Sequence, residues 1–179
     1  GNTVNYNGTG VQTVKTGTYY DLTISGAGNS TLGGVITVSN NLSITGGTLL
    51  TSTFQITGNA TGTLGISAGA GLTLGLTTSG TTVDFPTNFI TGNITLNATS
   101  TVTYQGNYAQ TISTTPASYG HLTISTGAAT VSKALSSAVD LTLNGNLTLT
   151  NGAGIVTFTM GTNNLSVTGT IAGTGNLTL

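Results

Sequence analysis

Leu22-Thr23-Ile24-Ser25 returns a hundred residues later as Leu122-Thr123-Ile124-Ser125, and its variants fill the chain between and beyond. They are Leu42-Ser43-Ile44-Thr45, Leu72-Thr73-Leu74, Ile94-Thr95-Leu96, Leu141-Thr142-Leu143, Leu147-Thr148-Leu149-Thr150, Leu165-Ser166-Val167-Thr168 and Leu177-Thr178-Leu179. An aliphatic residue at every second position, with a hydroxyl residue between, is the period-two pattern of a strand with one buried and one wet face. Many short strands of one kind imply units that bury their apolar faces against the next copy.

A long and a short period are superposed. Asn2-Thr3-Val4-Asn5-Tyr6-Asn7-Gly8 aligns with Ser100-Thr101-Val102-Thr103-Tyr104-Gln105-Gly106 at an offset of 98, and Gln12-Thr13-Val14 matches Gln110-Thr111-Ile112 at the same offset. Tyr19 and Leu22 match Tyr119 and Leu122 at an offset of 100, and Leu42 matches Leu147 at 105. The long unit divides the chain into a first copy, residues 1–99, and an incomplete second, residues 100–179. The short period lies near twenty: Leu22 to Leu42 is 20, Leu72 to Ile94 is 22, Leu122 to Leu141 is 19 and Leu147 to Leu165 is 18.

A coil of about twenty residues holds two or three short strands, and coils stack about 4.8 Å apart. The expected fold is therefore an all-β solenoid, continuous through both copies, of about nine coils and roughly 40 Å. The 28 glycines, and Asn-Gly at residues 7–8, 144–145 and 151–152, suit tight corners. Pro86 and Pro116 fall to loops. Because the long unit has the length of one immunoglobulin-like domain, tandem β-sandwiches are the alternative fold. A sandwich needs dissimilar strands at edge and centre, whereas a solenoid reuses one strand environment.

Lys15, Lys133, Asp21, Asp84 and Asp140 are the only charged side chains among 179 residues, and cysteine is absent. With no basic patch to neutralise phosphates, nucleic acid is not an expected partner. Disulfide and thiolate-metal frameworks are excluded, and no apolar run is long enough for a membrane span. A surface near zero net charge favours association, so the chain's own neighbouring repeats or fibre subunits are the first expected partners.

Gln12-Thr13-Val14, Tyr19-Tyr20-Asp21-Leu22-Thr23-Ile24-Ser25-Gly26 and Asn41-Leu42-Ser43-Ile44-Thr45-Gly46-Gly47-Thr48-Leu49 resemble the Gly/Thr/Asn-rich tandem repeats of giant secreted bacterial surface proteins. Their style is similar to filamentous-haemagglutinin and autotransporter passengers and to adhesin fibres. The resemblance implies a right-handed parallel β-helix, located outside the cell or on its surface, serving as a rod, stalk or filament segment. The sequence is expected to be a piece of a longer polypeptide whose export signal lies outside it. Host or surface glycans are further partners that the resemblance implies.

Catalysis, metal and cofactor are not expected. Polysaccharide-cleaving β-helix enzymes need clustered carboxylates, while the three aspartates lie 63 and 56 residues apart and Asp21 aligns with His121. His121, without a carboxylate beside it, reads as a surface or turn residue. Tyr6, Tyr19, Tyr104 and Tyr119, paired across the copies, read as filling a coil junction; Phe54 and Phe158 join the aliphatic core. The candidate site is an outward hydroxyl ladder of Thr23, Ser25, Ser43, Thr45, Thr123, Ser125, Thr148, Thr150, Ser166 and Thr168. Such Thr-x-Thr arrays resemble the flat faces of ice-binding β-solenoids, which makes ice an alternative partner; polysaccharide binding or cleavage is a further alternative.

Overall fold

A computed structural model describes all 179 residues and shows a β-solenoid. The first coil carries β1 (Thr3–Tyr6), β2 (Gln12–Val14) and β3 (Gly17–Tyr19). The second carries β4 (Asp21–Ile24), β5 (Asn29–Leu32) and β6 (Ile36–Val38), and the third β7 (Leu42–Ile44), β8 (Thr48–Leu50) and β9 (Ile56–Thr57). The fourth has β10 (Leu64–Ile66) and β11 (Gly71–Leu74), followed by a long segment, 75–93, that ends in a single 3-10 turn at Thr91–Asn93. The fifth has β12 (Ile94–Leu96), β13 (Thr101–Tyr104) and β14 (Thr111–Ile112), and the sixth β15 (His121–Ser125) and β16 (Val131–Leu135). The seventh has β17 (Leu141–Leu143), β18 (Leu147–Thr150) and β19 (Val156–Thr159), and the eighth β20 (Leu165–Val167), β21 (Ile171–Gly173) and β22 (Asn176–Thr178).

Every strand pairing is parallel and joins one coil to the next. That excludes the sandwich alternative, whose sheets are antiparallel. One sheet runs nearly the whole chain in the order β2-β5-β8-β11-β13-β15-β18-β21. A second face carries β1-β4-β7-β10-β12 and later β17-β20; the third carries β3-β6-β9 and later β14-β16-β19-β22. Eight strands spaced about 4.8 Å apart make a stack of about 34 Å, one coil shorter than the motif count suggests.

Coil lengths depart from a constant twenty. Leu22 pairs with Leu42 at a step of 20, but Leu72 pairs with Val102, 30 residues on, and Leu122 with Leu147, 25 on. Counting from one Leu-x-Leu phrase to the next went wrong where consecutive phrases occupy different faces of one coil. Leu141 and Leu147 begin neighbouring strands of the seventh coil, and their partners above are Leu165 and Ile171.

Inward residues form a single core cluster of 33 buried side chains from Val14 to Met160. In β4 and β7 the alternation is complete: Leu22, Ile24, Leu42 and Ile44 are buried while Thr23 and Ser43 between them are half-exposed. Phe158 lies fully inside, whereas Phe54 is only half-buried against the core. Ile44 sits between Ile24 and Ile66 in the register, with no polar group to receive a charge. Ile44→Ala is expected to cost about 2–5 kcal/mol. Ile44→Asp should abolish the cooperative thermal transition followed by circular dichroism, because a buried carboxylate has no partner there; an unchanged transition would refute this core assignment.

Candidate functional site

The hydroxyl candidates are divided among faces. Thr23 and Ser43 are register partners on the β1-β4-β7 sheet, with Ser25 and Thr45 just beyond the strand ends. Thr123 pairs with Thr148 and Ser125 with Thr150 on the eight-stranded sheet. Ser166 lies in β20 opposite Thr142, with Thr168 one residue past the strand, on the β17-β20 sheet. On the first face the column passes from Ser43 to Gly65 and then Thr95, and Gly65 leaves a dent in the hydroxyl row. An unbroken column of four threonines was missed by the sequence reading: Thr73, Thr103, Thr123 and Thr148 stand in register across four strands, ended by Leu50 on one side and Ala172 on the other. It could have been found by extending the alignment of Leu72-Thr73-Leu74 to Val102-Thr103-Tyr104.

Side-chain acceptors line the corners that precede strands on two of the faces. Asp21 accepts the Asn41 backbone N–H at 3.0 Å, and Asn41 in turn accepts that of Thr63 at 3.1 Å. In the second copy His121 Nδ1 accepts the Asn146 N–H at 2.9 Å, and Asn146 accepts that of Thr170 at 3.0 Å. Asp140 accepts the Asn164 N–H at 2.8 Å in the same manner. Asp21 and His121, which differ in chemistry, thus do one job: a side-chain acceptor satisfies a corner donor of the coil above. The donors on Asp140, first the Asn164 N–H and then its side-chain amide at 3.1 Å, hold that exposed carboxyl below its usual range. The digrams Asp-Leu, Asn-Leu and His-Leu at 21–22, 41–42, 121–122, 140–141 and 146–147 mark these corners in the sequence.

The paired tyrosines form the same clasp twice. Lys15 N–H donates to Tyr6 Oη at 3.1 Å, Tyr19 Oη donates to the Lys15 carbonyl at 2.6 Å, and the two hydroxyls are 3.1 Å apart. In the second copy Ser113 takes the place of Lys15, with 3.1 and 2.7 Å to Tyr104 and Tyr119 and 2.9 Å between the hydroxyls. Since the Tyr19 and Tyr119 protons are committed to carbonyls, Tyr6 and Tyr104 donate across each pair. Tyr104 and Tyr119 are fully buried, and that burial raises both hydroxyls well above their usual pKa.

Beside the second clasp lies Lys133, which sequence reading treated only as a scarce charge. It is 0% exposed, and Nζ donates to the Gly106 carbonyl at 2.9 Å, to Gln110 Oε1 at 2.9 Å and to the Tyr104 carbonyl at 3.3 Å. Tyr108 places its ring centroid 5.9 Å from the same nitrogen. Oxygen acceptors meet all three ammonium protons, yet the loss of water outweighs them, and burial pushes the amine down to about 7. Nothing in Val131-Ser132-Lys133-Ala134-Leu135 announces an inward lysine except its place in the alternation.

Segment 75–93 covers this region from one side. Tyr108 Oη donates to the Val83 carbonyl at 3.0 Å, and Gln110 Nε2 donates to it at 2.8 Å. Phe85 meets the Tyr119 ring edge-on at 6.3 Å between centroids. Between the segment and the strands runs an open groove of about 420 Å³, with Asp84 and Thr87 on one wall and Thr111, Ser113 and Ser136 on the other. Phe85 and Phe89 line it but are themselves buried, so the groove offers hydrogen-bonding groups and no free aromatic platform. No protein family matches this chain, and no curated protein or solved structure matches it either.

Two outcomes are expected. His121→Ala, measured by urea unfolding, should cost about 1 kcal/mol, while His121→Asn, which restores an acceptor, should stay within about 0.5 kcal/mol of the parent. For Lys133, the unfolded chain keeps its proton up to about 10.5 while the folded chain releases it near 7. Stability should therefore rise with pH across that window, at up to about 1.4 kcal/mol per unit. Above about 10 it should fall again, because tyrosines ionise in the unfolded chain while Tyr104 and Tyr119 stay protonated in the fold. Lys133→Met should erase the rise, and a rise that persists in this variant would exclude Lys133 as its source.

Proposed function

We propose that this chain is a non-catalytic structural segment of an extracellular bacterial surface fibre or adhesin. The observation that carries the reading is the eight-stranded parallel sheet running nearly from end to end over one continuous core. A stack of that kind resists extension along its axis through many parallel backbone hydrogen bonds, and its strand edges are open only at the two ends. Further support comes from the surface chemistry: hydroxyls and amides with five charged side chains favour packing against like surfaces. No helix is long and apolar enough to cross a membrane.

Glycans are a chemically reasonable contact for the groove at Asp84, Thr111, Ser113 and Ser136, which presents a carboxylate and hydroxyls to a polar ligand. In the rod reading this groove is a side contact, and the load is borne by the ladder beneath it. An antibody raised against the folded segment is expected to label intact cells of the source without permeabilisation, on thin filaments visible by electron microscopy. Labelling that requires permeabilisation would overturn the extracellular assignment, and labelled material without filaments would overturn the fibre.

A further inference from the structure

The two repeat copies occupy different angular positions on the solenoid. β1 lies on the β1-β4-β7-β10-β12 sheet, but its counterpart β13 lies on the next face, in the eight-stranded sheet. Going from β1 to β12 takes four full turns, and β13 follows one face later. One repeat unit therefore spans four and a third turns, and the second copy is rotated by one face relative to the first.

This arrangement puts the junction between two units on view. β13 receives β11 along its leading edge, with Leu72 against Val102 and Leu74 against Tyr104. The Thr101 N–H donates to the Ala70 carbonyl and the Gln105 N–H to that of Leu74, each at 3.0 Å. The turn at Gly75 fits against Gly106 so closely that a Cβ there would stand 2.8 Å from the Gly106 Cα. As a result Val102 is 0% exposed and the Tyr104–Tyr119 clasp is sealed.

The first copy carries the same surface, uncovered. β1, β2 and β3 each stand at the edge of their sheets. Asp21 and Ser25 N–H groups take the Asn2 and Tyr6 carbonyls, so the alternate backbone groups, at Thr3, Asn5 and Asn7, line the open edge. These are the counterparts of Thr101, Thr103 and Gln105. Val4, the counterpart of Val102, is 41% exposed, and the Tyr6–Tyr19 clasp is only half-buried. The internal brace is already in place: the Gly8 N–H donates to Gln12 at 2.7 Å, as Gly106 does to Gln110 at 3.0 Å.

We infer that the β1–β3 edge is the seat for the last coil of a preceding copy of this repeat unit, a coil like residues 64–99 running directly into Asn2. The inference rests on the rod reading above and gives its self-contact a register: Leu72 of the preceding copy against Val4, and Leu74 against Tyr6. Gly10 and Ser30 stand where the second copy has Tyr108 and Lys133, so this seat lacks the Tyr108 bond to Val83 and the buried ammonium, while Gln12 keeps the place of Gln110. Each added unit advances the rod by about 21 Å and turns it by one face, and three units restore the facing after about 60 Å.

The test inserts a copy of residues 2–99 immediately before Asn2 of the full chain. Amide exchange at Thr3, Asn5 and Asn7 of the inner copy is expected to slow to the rates of Thr101, Thr103 and Gln105, by more than about tenfold. Tyr6 and Tyr19 of that copy should lose reactivity to tetranitromethane, and small-angle scattering should show a rod longer by about 21 Å. Val4→Asp in the inner copy should abolish the protection, while the same change in the parent chain leaves its unfolding unchanged. A longer rod with fast exchange at these residues overturns this inference alone. A rod that fails to lengthen overturns it together with the rod reading. Protection in the parent chain that grows with its own concentration overturns it in favour of end-to-end association between separate chains.

Discussion

A backbone N–H of one coil donates to a carbonyl of the coil beside it, and this parallel ladder constrains every other choice in the molecule. Such a ladder closes only if successive coils keep their strands in register, because a slip by one residue would turn each aliphatic side chain out to water. Leu22 over Leu42 over Leu64, and Ile24 over Ile44 over Ile66, are that requirement written in side chains. Coil length is free to vary only between the registered strands. Thus the fourth coil accommodates segment 75–93 without disturbing the alignment of Leu72 with Val102.

Stacking like on like also governs what polar chemistry is tolerated. A column of identical ionised groups about 4.8 Å apart would repel itself, and threonine, serine and asparagine do not. The corner acceptors use the same spacing constructively, since an acceptor on one coil lies within reach of the donor on the next. Asp21, Asn41, His121, Asn146 and Asp140 share a position rather than a charge state. No buried side-chain nitrogen or oxygen is left without a partner, Lys133 included.

The fold was legible because period-two alternation and internal repetition are local signals. Leu22-Thr23-Ile24-Ser25 needs no knowledge of its neighbours to be read as a strand, and the offset of 98 needs only the sequence itself. What could not be read was which phrase lies above which. Leu141-Thr142-Leu143 and Leu147-Thr148-Leu149 look like successive coils, yet they are successive faces, because a corner of Asn144-Gly145-Asn146 turns the chain between them. The Asn-Gly pair was read as a tight corner, but not as one that sets neighbouring phrases on different faces, and that hid the Thr73–Thr148 column and made the hydroxyl candidates look like one surface. Lys133 was hidden for a different reason: its environment is assembled from Tyr104, Gly106 and Gln110, more than twenty residues away, and three carbonyl-type oxygens leave no sequence signature.

The tyrosine clasp shows how a repeat can be both a coil filler and a joint. Within a copy, Tyr104 and Tyr119 tie the start of one strand column to the next through Ser113, and each hydroxyl finds partners inside the protein. The Tyr119 ring supplies the apolar surface against which Phe85, from the end of the other copy, makes its edge contact. A side-chain pair that satisfies its own hydrogen bonds can be covered by a neighbouring unit without leaving a polar group stranded, so burial of the joint adds apolar contact at no hydrogen-bond cost. The advance of four and a third turns follows from the same economy of parts. With three faces available, a unit ending one face past a whole turn presents its successor with a fresh face, and outward features such as the Thr123–Thr148 column then wind around the axis instead of forming one strip.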